Sequence, residues 1–138
     1  MLKETKYYTP TIEEFHIGFE YEMWRGSKRY GKWDKDMKFG VFSNINAYYV
    51  FIEDEELRVK YLNQEDIESL GFHQGYSAKD GRNYITYINK DVVIKQYYNN
   101  NNEYAIVIQL KNSQRTLFDG FIKNKSELKK LLKQLNID

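Results

Sequence analysis

At 138 residues the chain is one domain's worth, long enough to bury a core without help from a metal or a disulfide. The absence of Cys excludes a disulfide framework, thiol catalysis and a sulfur-ligated zinc, and two His leave little for a multi-histidine centre. With 21 Lys and Arg against 20 Asp and Glu, the net charge of +1 exerts no overall pull toward nucleic acid or an anionic membrane.

Aromatic residues make up 17% of the chain and 13 of them are Tyr, so the core must rest on large rings with polar tips, a composition that favours sheet. No apolar run reaches the ~20 residues of a membrane span, and the opening MLKETKYYTP has no apolar signal core. A cytoplasmic protein is expected. Pro10 is the single Pro, no tract reads as a linker, and no solenoid period recurs, so residues 1–138 read as a single globular domain.

In chain order, Thr9-Pro10 predicts a short helical turn over Thr11 to Glu14. Phe15, Ile17, Phe19 and Tyr21 then alternate with His16, Gly18, Glu20 and Glu22, the period of a half-buried antiparallel strand. Residues 24–39 are charge-dense and punctuated by Gly, a long hairpin or a loop. The apolar run from Phe42 to Ile52 reads as strand or short helix, and periodicity leaves both open. Leu57 to Leu62 alternates as a short strand.

Asn63, the acids Glu65 and Asp66, and Gly71 mark the cap, first turn and stop of a helix over 64–70. A meander follows. Phe72 to Ala78 leads through Lys79-Asp80-Gly81-Arg82 to a strand over Asn83–Asn89, and Asp-Gly between such runs is a hairpin cue. Val92 to Tyr98 pairs with Glu103 to Leu110 around Asn99 to Asn102, and Arg115 to Phe121 makes a last strand. Asn124 and Glu127 have capping-box spacing, and Leu128, Leu131, Leu132 and Leu135 form one apolar stripe. The fold expected is α+β: a mostly antiparallel sheet of about five to seven strands, a short central helix, and an amphipathic C-terminal helix packed on one face.

No phosphate-binding loop, dinucleotide fingerprint, nucleophile elbow or zinc-protease motif is present. His16, Glu20 and Glu22 share one strand face in this reading and would suit a divalent metal or acid–base work. Alternation alone, however, puts polar residues there. The acidic run Glu53-Asp54-Glu55-Glu56 lacks the ligand spacing of a calcium loop and reads as a solvated turn. No cofactor, metal or catalytic residue is expected. The segment Trp24 to Lys38 stands out. It sets six cations against Asp34 and Asp36, with Trp24, Tyr30 and Trp33 interleaved. Phosphates want such cations and bases want flat rings, each stacked base contributing ~1–3 kcal/mol in single-strand binders. Trp24, Arg25, Lys28, Arg29, Tyr30 and Trp33 are therefore the candidate ligand contacts, set against a plain hairpin whose Trp rings close the core edge. The Lys125, Lys129 and Lys133 stripe is first of all the outer face of an amphipathic helix. The pairs Tyr7-Tyr8, Tyr48-Tyr49 and Tyr97-Tyr98 each put one ring outside if they lie in strands, a surface suited to self-association as a homodimer.

Three stretches, YTPTIEEFHIGFEYE (Tyr8 to Glu22), LRVKYLNQEDIESLGF (Leu57 to Phe72) and LFDGFIKNKSELKKLLKQLNI (Leu117 to Ile137), resemble a group of small uncharacterised proteins encoded by phages and prophages of gut bacteria. That resemblance implies an accessory protein that works by binding, and carries over no activity or site residue. Together these readings lead to a non-enzymatic binding protein, a phage counter-defence factor that sequesters an anionic nucleotide-like ligand. The alternative is a protein–protein interaction module acting on a host or phage protein. Single-stranded nucleic-acid binding ranks below both, and a metal-dependent hydrolase built on His16, Glu20 and Glu22 ranks last.

Overall fold

The computed structural model describes residues 5–75, 84–97 and 105–137. The chain divides into two compact units, Met1–Tyr61 and Leu62–Asp138, each with its own apolar cluster.

In the first unit, β1 (Tyr7–Tyr8), β2 (Glu20–Arg25), β3 (Lys32–Lys38) and β4 (Leu57–Lys60) form an antiparallel sheet in the order β1-β4-β2-β3. A 3₁₀ turn (Ile12–Glu14) precedes β2, and helix α1 (Ile45–Glu53) lies between β3 and β4. The turn is the one expected: the Glu14 carboxylate accepts the Thr11 N–H at 2.8 Å and the Tyr8 hydroxyl at 2.6 Å. Strand alternation buries Tyr21 and Met23 of β2 and Leu57 and Val59 of β4, and Phe19 and Tyr48 complete the cluster. Rings dominate it. Phe15 meets Tyr21, Phe39 and Tyr48 edge-on at 5.2–5.6 Å between centroids, the arrangement that ring quadrupoles favour. Inside the cluster the Tyr21 and Tyr48 hydroxyls satisfy each other.

Two expectations change here. The strand does not run from Phe15; it begins at Glu20, and His16-Ile17-Gly18 form a turn closed by the Phe19 N–H on the His16 carbonyl at 2.9 Å. Gly18 has φ +93°, which a residue without Cβ reaches freely, and Ile17 points outward at 66% exposure. The alternation Phe15-Ile17-Phe19 thus spans a turn rather than a pleat. The open choice over 42–52 resolves to helix: Asn44 caps α1 by accepting the Asn46 N–H at 3.0 Å. Ala47, Tyr48, Phe51 and Ile52 face the core.

In the second unit, α2 (Gln64–Ser69) precedes β5 (His73–Gln74), β6 (Tyr84–Asn89), β7 (Val92–Tyr97), β8 (Ala105–Leu110) and β9 (Thr116–Phe121), and α3 (Lys125–Gln134) follows. The five strands pair antiparallel in chain order, as the meander predicted. The Lys79–Arg82 hairpin, the turn at Asn99–Asn102 and the part of the Phe72–Ala78 strand beyond residue 75 lie outside the described residues. Asn63 and Asp66 form a reciprocal capping box, and Gly71, at φ +97°, ends the turn after α2. Asn124 accepts the Glu127 N–H at 2.9 Å. Glu127 in return takes the Lys123 N–H at 2.8 Å, one residue ahead of capping-box position. Leu128 and Leu132 of α3 join Ile67, Tyr87, Ile94, Ile106 and Ile108 in the core. Gln96 is buried there, satisfied by the Tyr87 hydroxyl at 3.3 Å and the Leu62 carbonyl at 3.4 Å.

The fold is α+β, with strands divided between a four-stranded and a five-stranded antiparallel sheet. No described helix is long and apolar enough to cross a membrane.

Burial, reinforced by the adjoining Tyr48 hydroxyl, holds the Tyr21 phenol well above the usual tyrosine value. The unfolded chain therefore loses this proton first, near pH ~10, so stability is unaffected below that pH and falls as pH rises beyond it. Urea unfolding across the alkaline range should show a shallower decline for Tyr21→Phe, with a cost at neutral pH of about 1 kcal/mol for the lost hydrogen bond. Equal slopes for the two proteins would contradict this account.

Candidate functional site

The segment singled out in the sequence is a β-hairpin. Trp24 and Trp33 sit opposite each other on β2 and β3, their rings 5.3 Å apart and inclined at 72°. The loop between them folds back on Trp24, whose indole N–H donates to the Ser27 carbonyl at 3.1 Å, while Ser27 Oγ accepts the Tyr30 N–H at 3.0 Å. Gly31 lies directly against the Trp24 ring: a Cβ there would come within 2.5 Å of the indole and 2.6 Å of the Arg25 carbonyl. Only Gly permits that approach.

A cleft of about 490 Å³ opens beside the two rings. Trp24, Gly26, Lys28 and Trp33 line it on the hairpin side, and Asp54, Glu55 and Glu56 on the other. The acidic run reaches this position because α1 ends in a tight turn. The Asp54 N–H bonds the Val50 carbonyl at 2.9 Å, the Glu56 N–H bonds the Phe51 carbonyl at 2.8 Å, and Glu55 takes φ +56°. The Trp24 N–H then bonds the Glu56 carbonyl at 2.7 Å and ties the turn to β2.

Behind the cleft, one residue from each strand forms a continuous row. The Arg58 guanidinium of β4 lies 3.7 Å from the Tyr7 ring centroid of β1 and 4.2 Å from that of Trp33 of β3. Its Nε and Nη2 both donate to Glu22 Oε1 of β2, at 2.9 and 2.8 Å. Arg58 and Glu22 retain only 22% and 12% side-chain exposure, so this charge pair is largely removed from water and its rings replace lost hydration.

Of the six residues read as ligand contacts, Trp24, Lys28 and Trp33 come together at the cleft and three do not. Arg25 turns along the hairpin toward Asp34, at 3.7 Å, and Met37, at 3.9 Å. Arg29 lies 5.5 Å from the Tyr30 ring centroid, and Tyr30 is 81% exposed. The residues missed were Asp54, Glu55 and Glu56. Their clustering was visible in the sequence, but their meeting with Trp24 depends on a contact some thirty positions away.

Of the His16, Glu20, Glu22 set, the two carboxylates share a face of β2 but the histidine is not on that strand. His16 stands in the turn before β2 with Nδ1 3.1 Å from the Glu14 carbonyl, while Glu22 holds Arg58. Among the described residues no three His, Asp or Glu side chains are placed to hold a metal ion. Of the tyrosine pairs, Tyr48 is buried and Tyr49 exposed, but on a helix; Tyr7 and Tyr8 are both half-buried, and Tyr98 lies outside the described residues. Comparison with protein-family models, curated proteins and solved structures gave no match.

Two substitutions probe this geometry. Gly31→Ala should displace the Trp24 ring and lower stability by about 1–3 kcal/mol, the usual cost of overpacking, with altered tryptophan fluorescence. An unchanged emission spectrum would count against the close packing. Arg58→Lys keeps the charge but loses the planar stacking, and should lower the unfolding midpoint in urea without changing the slope. A variant as stable as the parent would show that the row contributes nothing.

Proposed function

We propose that this chain is a non-enzymatic binding protein whose first unit captures a cation, the guanidinium or ammonium of a basic partner segment. The observation that carries this reading is the cleft itself: two indole rings and three carboxylates face one lysine. An indole face attracts a cation by ~0.5–1 kcal/mol when exposed and ~2 kcal/mol or more when desolvated, and nearby carboxylates add to the attraction. An anionic ligand placed in the same cleft would meet the three carboxylates at close range. The interaction-module alternative drawn from the sequence is therefore the better supported of the two leading expectations.

Capture of an anionic nucleotide remains the second reading, favoured by one observation. Arg29 and Tyr30 are both exposed on the hairpin loop, with Arg29 beside the Tyr30 ring, so a phosphate and a base have partners outside the cleft. Either mode suits an accessory protein of the phage type that the sequence resembles, acting by occupying a host component.

Tryptophan fluorescence of the full chain, titrated with a short peptide containing Lys and Arg and separately with linear and cyclic nucleotides, distinguishes the two. The basic peptide should bind at low salt and weaken with added salt. The triple variant Asp54→Asn, Glu55→Gln, Glu56→Gln should lower its affinity about tenfold, equivalent to ~1.4 kcal/mol. Nucleotide binding that survives the triple variant, with no response to the peptide, would replace the first reading by the second.

A further inference from the structure

A second site lies in the other unit. Leu70, Lys129, Leu132, Lys133, Asn136 and Ile137 surround a cavity of about 530 Å³ at the C-terminal end of α3. Its floor is apolar: Leu132 belongs to the core cluster, and Leu70 and Ile137 pack against that cluster. Its rim is cationic. Lys129 and Lys133 are exposed and stand one helical turn apart on the same face. Among the described residues lining the cavity there is no carboxylate to neutralise them.

A helix C-terminus ordinarily repels an anion through its free carbonyls. Here the chain folds back at Asn136, which takes φ +59°. The Leu135 N–H bonds the Leu131 carbonyl at 2.9 Å, the Ile137 N–H bonds the Leu132 carbonyl at 2.8 Å, and the Asn136 N–H bonds the Lys133 carbonyl at 3.1 Å. These bonds occupy the Leu131, Leu132 and Lys133 carbonyls and bring Ile137 back against the core cluster. A surface helix needs lysines for solubility, but it does not need a concave apolar floor between them.

We propose that this cavity binds a small amphipathic carboxylate, with the apolar body against Leu70, Leu132 and Ile137 and the carboxylate between Lys129 and Lys133. Its volume falls within the roughly 300–1,000 Å³ range of small-molecule pockets. A docked peptide helix would instead want an elongated groove with apolar anchors repeated over several turns, and the apolar lining here is three residues gathered at one helix end. The site is independent of the tryptophan cleft.

The test uses the full chain with octanoate as probe, against octanol and octylammonium of the same length. Octanoate should raise the unfolding temperature and shift the methyl resonances of Leu70, Leu132 and Ile137 more than either control. Both lysines are exposed, so Lys129→Gln with Lys133→Gln should leave the fold intact while lowering octanoate affinity by about tenfold or more, as loss of a charge-assisted contact does. Octanol binding should not change, and Lys129→Arg with Lys133→Arg should restore octanoate binding. Octanoate affinity that is indifferent to the Gln pair, equal binding of octylammonium, or binding of an acidic apolar peptide without octanoate would each overturn the proposal.

Discussion

The first unit is organised around a single guanidinium. Arg58 reaches across its own strand to Glu22 on one neighbour and lies between the rings of Tyr7 and Trp33, so the four-stranded sheet has one member of every strand in a single row. Taking both charges out of water carries a large desolvation cost, which is offset only because the same group finds a carboxylate and two aromatic faces. Trp33 lies against Arg58 and meets Trp24 in an edge-to-face arrangement. Trp33 thus belongs both to this row and to the wall of the cleft.

Charge placement matters more here than charge count. The net charge of +1 describes a neutral molecule, and the cations of the hairpin suggest a basic one. The folded unit separates these signs. Lys28 faces the cleft, Arg25 runs toward Asp34, Arg29 lies with Tyr30 on the loop, and the carboxylates closing α1 face the indoles. A ligand senses charges within a few ångströms far more than those beyond a Debye length of ~8 Å in physiological salt. The carboxylates outnumber the one lysine in the lining of the cleft, whatever the charge of the whole chain.

The two cores solve burial differently. In the first, Phe and Tyr rings pack edge to face and bring phenolic hydroxyls that need each other, as Tyr21 and Tyr48 do. In the second, Ile94, Ile106 and Ile108 stand on neighbouring strands with Leu128 and Leu132, and the buried polar side chains Asp66, Thr86, Gln96, Asn124 and Ser126 lie in this unit. Branched aliphatic side chains suit a pleated meander, while rings fill the irregular space beneath a short sheet and one helix.

Local chemistry accounts for what was legible in the sequence alone. Asn63 with Asp66, Asn124 with its leucine stripe, Gly71 as a stop, and the alternation within residues 84–97 and 105–110 each act over a few positions, so they appear in the letters and again in the fold. Residues 15–22 misled because one glycine turns the chain inside an alternating pattern, and residues 42–52 stayed open because rings and β-branched side chains suit either element until packing chooses. Tertiary structure alone decided that the strands divide into two sheets, that Glu22 serves Arg58, and that Asp54, Glu55 and Glu56 face Trp24 and Trp33. Those contacts join residues far apart along the chain, and no propensity or periodicity encodes which distant strand a side chain will meet.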